Sequence, residues 1–161
     1  MRSFIQYITE LGDSSYQHFR VTPENSTSHY HLYKIKHPTE ENKDIDVVIR
    51  HDSETRNGPL NNAEVTFSRV KGFNRGQRYA QTNDMTPSES SKVFGAIHNI
   101  MKEHAAKNPH IKTYGFSSVK DEKGGREKLY KTITKKMGGT SKDLGSETMH
   151  LITRKNLIGE E

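Results

Sequence analysis

Three segments in the first half of the chain alternate apolar and polar residues with a period of two, which is typical of β-strands that bury one face. A fourth segment, residues 44–50, is rich in β-branched residues and is typical of a central strand. Short connections separate the segments, and one of them carries Asn57-Gly58-Pro59, a strong turn signal. Because short connections favour antiparallel pairing, the sequence predicts an antiparallel meander. Its strands are predicted at residues 16–21, 29–35, 44–50 and 63–70.

After residue 85 the apolar positions recur at helical spacing instead. Thr86-Pro87-Ser88-Glu89 combines an N-cap residue, a proline at the first helical position and a capping-box glutamate. Asn108-Pro109 is expected to end this helix. Its apolar stripe, predicted to pack on the sheet opposite Phe67 and Phe116, consists of Val93, Phe94, Ile97, Ile100 and Met101.

Three further elements complete the predicted domain. Residues 112–117 form a strand, residues 126–137 form a helix that Gly138-Gly139 ends, and residues 147–153 form a last strand. The predicted order is therefore a meander followed by β-α-β-α-β. This order predicts an α+β fold in which helices pack on a mixed sheet, with a parallel, right-handed strand–helix–strand pair.

The first residues of the chain have the spacing of a short amphipathic helix. Phe4, Ile5, Ile8 and Leu11 share one face of a helix over residues 3–11. We expect residues 1–12 to form a helix that docks on its own domain or on a partner through Phe4, Ile5 and Ile8. Residues 13–161 are then expected to form a single domain.

Composition excludes several classes of site. Cysteine is absent, so disulfides, thiolate metal sites and cysteine nucleophiles are excluded. No apolar run approaches the roughly 18 residues of a membrane-spanning helix, and the N-terminal segment lacks the apolar core of a secretory signal. The pattern therefore predicts a protein of the cytoplasm with no membrane partner.

The positive charge of the chain is concentrated in its last third. Residues 112–161 hold 11 basic and seven acidic side chains, which accounts for most of the net charge of +5. This excess is typical of a solvated lysine-rich helix face, and it is also compatible with a face for nucleic acid or an acidic partner. Lys120, Lys123 and Arg126 precede a predicted helix and are candidate contacts to a phosphate or a partner.

Histidines provide a weaker indication of a metal site. His29 and His31 share one face of the second predicted strand, and His18 follows the same alternation on the first. Neither a His-Glu-x-x-His motif nor a carboxylate at ligand spacing accompanies them. We therefore expect no metal site.

The order of elements, and above all the segment KTYGFSSVKDEKGGREKLYKTITKKMGG at residues 112–139, resembles the GNAT acyltransferase fold. In that fold a meander leads into a helix, a splayed strand, a second helix and a final strand. The segment resembles the fifth strand and the following helix. The opening MRSFIQYITE also resembles the start of small proteins encoded by tailed phages, and the resemblance covers about residues 60–155.

The resemblance implies particular site residues and a cofactor. It places the general acid of an acyltransferase at Tyr130, and a general base would be Glu64 on the fourth strand. In a GNAT protein, a glycine-rich loop before the central helix binds the pyrophosphate of coenzyme A. Here residues 81–88 contain no glycine, include Pro87 and carry two carboxylates, so they lack the donors that a pyrophosphate needs. The alternative phosphate contacts are Arg75, Gly76 and Arg78.

The sequence therefore favours a phage-encoded GNAT-like domain that does not transfer acyl groups and needs no cofactor. It would act as a virion-associated or assembly protein through contacts with other phage proteins or its own copies, in the host cytoplasm or the virion. Two alternatives remain open. One is an active N-acyltransferase that uses acetyl-coenzyme A, and the other is a nucleic-acid-associated accessory protein that uses the basic last third.

Overall fold

The computed structural model describes residues 16–21, 30–51, 61–69, 87–119 and 125–159. Within these ranges the fold is α+β, with a mixed sheet of seven strands and three α-helices. The strands are β1 (His18–Arg20), β2 (Tyr30–Ile35), β3 (Ile45–Arg50), β4 (Asn62–Arg69), β5 (Thr113–Val119), β6 (Thr140–Asp143) and β7 (Glu147–Thr153). The helices are α1 (Pro87–Lys107), α2 (Gly125–Lys136) and α3 (Arg154–Ile158).

Most predicted elements are present close to their predicted bounds. Helix α1 begins at Pro87, directly after the proposed N-cap, and ends immediately before Asn108-Pro109. The strand order is β1-β2-β3-β4-β5-β7-β6. The predicted helix over 3–11 and the predicted docking residues Phe4, Ile5 and Ile8 lie outside the described residues. No helix in the described ranges is long and apolar enough to cross a membrane.

The described residues pack as two compact units. Unit 1 holds those up to Ile49 and those from Thr66 to Ile100, and unit 2 holds those of Arg50–Val65 and those from Met101 onward. The single domain expected over residues 13–161 stays a prediction. Each unit has its own buried apolar residues, so each can be described by itself.

In unit 1 the alternation of the early strands separates a buried face from an exposed one. β1 pairs antiparallel with β2, with His18 opposite Ile35 and Arg20 opposite Tyr33. The four residues of the predicted helical stripe that belong to this unit are all buried. One of them, Phe94, contacts the ring of Phe67 edge to face, with the ring centroids 5.5 Å apart. The buried side chains of the strands and of α1 in this unit are Tyr33, Ile35, Ile45, Val47, Ile49, Val93, Phe94, Ala96, Ile97 and Ile100.

The connection between β2 and β3 is held by the buried carboxylate of Asp44. Its Oδ1 accepts a hydrogen bond from the His37 backbone N–H at 2.8 Å, and its Oδ2 lies 3.2 Å from the Lys36 ammonium. A short 3-10 turn, Glu41–Lys43, precedes it. Because a buried carboxylate is costly unless it is paired, these two contacts explain why an acidic residue is tolerated here.

Asp46, on β3, has one buried carboxyl oxygen that lacks such compensation. Its Oδ1 has no hydrogen-bond partner in the described part of the chain. Burial raises the pKa of the Asp46 carboxyl above its ordinary value; Lys34 lowers this pKa and Asp44 raises it further. The folded state therefore holds the proton more tightly than the unfolded chain, which favours folding at low pH. This contribution is lost as the pH rises through the pKa of the folded state.

We expect Asp46→Asn to raise the melting temperature at pH 7, because the amide removes the cost of burying a carboxylate. The gain should shrink near pH 3, where the wild-type Asp46 carboxyl is mostly protonated in the folded and in the unfolded state, so that no carboxylate has to be buried. Thermal unfolding followed by circular dichroism at the two pH values measures this difference. Glu41→Gln, at an exposed acidic position of the same unit, is the control and should change neither value. An equal gain at both pH values would contradict the assignment.

In unit 2 the sheet is mixed because it contains both parallel and antiparallel strand pairs. β4 runs parallel to β5, as predicted for a strand–helix–strand pair. β7 pairs antiparallel with β5 along its whole length and also pairs antiparallel with β6. Helix α2 packs against β5, β6 and β7. The strand after the second helix is therefore β6 at the edge of the sheet, and β7 returns between β5 and β6.

Two elements of unit 2 were not predicted. The four residues of β6 are all exposed and polar, so they show no alternation, and their ladder with β7 alone makes them a strand. Helix α3 begins after Thr153, whose hydroxyl accepts a hydrogen bond from the Asn156 N–H. Gly138, with φ +80°, ends helix α2 as predicted, because this backbone conformation is open to glycine at little cost.

Candidate binding cleft

A cleft of about 300 Å³ lies in unit 2, above β4, β5 and β7. This volume is at the lower end of the range for ligand sites in proteins. Polar and apolar residues both contribute to its wall. The lining residues are Arg50, Asn62, Ala63, Glu64, Thr113, Gly115, Phe116, Ser117, Met149 and Leu151.

The pairing of β4 with β5 explains why a cleft forms here. The parallel ladder joins only three residue pairs, the last of which is Glu64 with Gly115. The next residues along the two strands, Val65 and Phe116, no longer pair in this described stretch, although both strands continue. At the other end of the ladder, the Thr113 hydroxyl donates a hydrogen bond to the Asn62 side-chain oxygen. The two strands are therefore joined by a side-chain hydrogen bond at the Asn62 end of the ladder, and the ladder ends at Glu64.

Gly115 forms part of the floor because it has no side chain. A Cβ atom built at this position would lie 3.1 Å from the end of the Leu151 side chain and 3.6 Å from the Met149 sulfur. These two side chains therefore come down against the backbone of β5. They make the apolar part of the cleft floor.

The rim carries one cation and one anion. Arg50 is the last residue of β3 and is exposed, and Glu64 is exposed on β4 between the buried Ala63 and Val65. In the part of the chain that the structure describes, neither residue forms an ion pair. The cleft therefore offers both charges to a ligand next to an apolar floor. With one carboxylate and no histidine in its lining, it has no ligand set for a metal ion.

Tyr130, the residue that the family resemblance marks as a general acid, is a core residue of helix α2. Its side chain is 1% exposed, and its ring contacts the rings of Phe116 at 6.1 Å and His150 at 5.9 Å. It is absent from the lining of the cleft. Phe116 contributes to that lining from β5, but its ring packs toward Tyr130 on the opposite face of the sheet from Gly115 and Leu151.

His150, on β7, packs against the same ring of Phe116. Its fully buried ring stacks on Phe116 at 5.0 Å, and its Nδ1 lies 2.7 Å from the Ser141 hydroxyl on β6. Phe116 is therefore held between Tyr130 and His150.

Of the candidate residues from the sequence, the structure brings Glu64 to the cleft. Arg75, Gly76, Arg78, Lys120 and Lys123 lie outside the described residues, as do His29 and the loop at 81–86. Arg126 lies in the first turn of α2. The predicted docking residues and phosphate contacts therefore stay predictions.

Sequence reasoning missed most of the cleft. Four of the missed residues face outward from predicted strands, and they are Arg50, Thr113, Ser117 and Leu151. The sequence signal that could have identified them was this outward position. These residues form one site because strand pairing places Glu64 beside Gly115 and Gly115 beside Leu151. Neither a protein-family model nor a curated protein matches this sequence.

Proposed function

We propose that this chain is a GNAT-like domain, encoded by a tailed phage, that binds a protein partner through the cleft and does not transfer acyl groups. It acts as a virion-associated or assembly protein, in the virion or the host cytoplasm. The partner is another phage protein that inserts an apolar side chain against Met149 and Leu151. Its polar groups are met by Arg50 and Glu64.

The order of elements supports the GNAT-like part of the proposal. A meander leads through a helix into a strand that is parallel to β4 and only briefly paired with it. A second helix and the final strands follow. This order is compatible with the splayed arrangement that the sequence resemblance implies.

The observation that carries the absence of acyl transfer is the burial of Tyr130. A general acid must come within hydrogen-bond distance of the leaving group, directly or through one water. At 1% exposure and behind Phe116, the Tyr130 side chain is packed in the core and lines no part of the cleft. The sequence before helix α1 adds support, since residues 81–88 lack glycine donors for a pyrophosphate.

The chemistry of the cleft supports a protein partner. Protein interfaces combine an apolar centre with a polar rim, and a rim charge aids recognition more than it adds affinity. The cleft has this organisation on a small scale, with Leu151 still 41% exposed at its centre. Its volume suits one inserted side chain with its adjacent backbone rather than a large cofactor.

The first test is calorimetry with acetyl-coenzyme A and with coenzyme A. We expect no binding heat for the wild-type protein or for Tyr130→Phe. Binding tighter than about 10 μM, which corresponds to roughly −7 kcal/mol, would overturn the proposal.

The second test compares two leucines of unit 2 in virions of the encoding phage. Leu151→Asp places a charge in the cleft, whereas Leu144→Asp changes a leucine of similar exposure, 48%, that does not line the cleft. We expect mass spectrometry of purified virions to show that Leu151→Asp lowers incorporation at least tenfold and that Leu144→Asp does not. Circular dichroism verifies that both variants fold. Equal incorporation, or absence of the wild-type protein from virions and assembly intermediates, would overturn the proposal.

An N-acyltransferase is the second candidate, and the position of Glu64 favours it. The carboxylate stands on the cleft rim at the end of the ladder between β4 and β5, and would act as the general base. If coenzyme A binds, acetyl transfer to amines should then be lost in Glu64→Gln while binding of coenzyme A is retained.

A further inference from the structure

Three histidines meet in unit 2, away from the cleft lining. His51 directly follows β3, His104 lies in the last turn of α1, and His110 lies in the connection from α1 to β5. His51 is 6% exposed and His104 is fully buried, while His110 is exposed. The group therefore runs from the interior of the unit to its surface.

The distance from His51 to each of the other two imidazoles is close to the spacing of ligands on a single metal ion. The His51 ring centroid lies 5.5 Å from that of His104 and 5.4 Å from that of His110. Two imidazoles bound to one tetrahedral zinc ion at about 2.0–2.1 Å have ring centroids about 5 Å apart. The ligand nitrogens of His51 and His104 lie within 4.8 Å of each other, so a small side-chain movement brings both onto one ion.

A hydrogen bond orients the innermost ring. His104 Nδ1 lies 2.7 Å from the hydroxyl of Tyr114, a fully buried residue of β5. Histidines that bind metals commonly use their second ring nitrogen in such a contact, which fixes the direction of the nitrogen that binds the ion. Tyr114 and His104 both lie on regular elements, so this part of the site is preorganised.

The charge of the neighbouring Arg154 does not prevent a cation from binding beside the histidines. Arg154 is a buried cation at the end of α1. Its guanidinium donates hydrogen bonds to the backbone carbonyls of Ala105 and Asn108 there. Its charge is therefore neutralised in part by the carbonyl end of the helix. Imidazole is a ligand of intermediate softness, which suits an ion of the zinc type.

We propose that His51 and His104 bind a divalent transition-metal ion of the zinc type, with His110 supplying a third imidazole from the solvent side. The ion joins the end of β3 to the end of α1 and stabilises unit 2. The site is independent of the cleft and of the proposed function. Its ligands are separated by 53 and six residues along the chain, a spacing that matches no metal-binding motif.

The test uses the full chain after treatment with a chelator, with zinc chloride and cobalt chloride as probes. We expect 100 μM zinc to raise the melting temperature, and cobalt to produce the visible absorption of a tetrahedral site. His51→Gln and His104→Gln should each lower zinc affinity at least tenfold, and His110→Gln should lower it less. His98→Gln, which removes a different histidine of helix α1, is the matched control and should bind zinc as the wild type does.

A milder variant keeps the test decisive if a buried histidine proves essential for folding. Tyr114→Phe retains the ring in β5 and removes only the hydroxyl that orients His104, so we expect zinc affinity to fall about tenfold or more. The proposal is overturned if zinc leaves the wild-type melting temperature unchanged. It is equally overturned if His51→Gln and Tyr114→Phe bind zinc like the wild type, or if His98→Gln weakens binding as much as they do.

Discussion

Replacing Gly139 by alanine should destabilise the protein by about 3 kcal/mol, because the added methyl group has nowhere to go. Gly139 lies between helix α2 and β6. A Cβ there would overlap the backbone carbonyl oxygen of Leu151 and would lie 2.8 Å from Thr134 Cγ2 and 2.9 Å from Ile152 Cγ1. The carbonyl belongs to the central part of β7, so it cannot yield without breaking the ladder. We expect chemical denaturation to show the loss.

Gly145→Ala is the matched control for this prediction. Gly145 has φ +96° and open space around its Cβ position, so alanine there meets backbone strain without a clash. The strain alone should cost about 1–2 kcal/mol. If Gly139→Ala costs no more than Gly145→Ala, the close approach of Gly139 to β7 is wrong.

Replacing Arg154 by methionine should cost about 3 kcal/mol, since hydrogen bonds from a charged donor contribute about 1.5–3 kcal/mol each. The Arg154 guanidinium donates to the carbonyl oxygen of Ala105 and, at 3.2 Å, to that of Asn108. These carbonyls lie at the C-terminal end of α1, where a cation is also favoured by the helix dipole. Methionine keeps most of the buried volume and removes the donors.

The loss should appear as a melting temperature lower by roughly 6–12 °C for a chain of this size. Arg154→Lys retains the charge without the planar set of donors and should recover only part of the loss. Lys155→Met, at the exposed neighbouring position, should change stability by less than about 0.5 kcal/mol. A small effect of Arg154→Met, similar to that of Lys155→Met, would contradict the role of Arg154 at the end of α1.

The elements that were predicted correctly are those whose signals are local. The capping residues before Pro87 and the stop at Asn108-Pro109 define α1, and Gly138-Gly139 defines the end of α2. Caps and periodicity depend on neighbours within a few residues, so they can be read without knowing the rest of the fold. β5 extends beyond its predicted end because Ser118 and Val119 pair with Thr148 and Glu147.

The chemistry of Tyr130 illustrates the limit of such signals. The sequence places it on a helix, and a helical tyrosine suits both a general acid and a core residue. The structure buries it against Phe116 and His150, from β5 and β7. That burial depends on where the helix packs, which no residue near Tyr130 specifies.

By itself, the sequence determined the α+β class, the approximate bounds of most strands and helices, and Glu64 as an outward residue of β4. The tertiary structure alone decided that β7 lies between β5 and β6, that the ladder between β4 and β5 ends with Glu64 and Gly115, and that His51 meets His104. Periodicity and caps reflect interactions between near neighbours in the chain. Strand order and the meeting of distant side chains depend on which faces pack together, and that choice is made by the whole core.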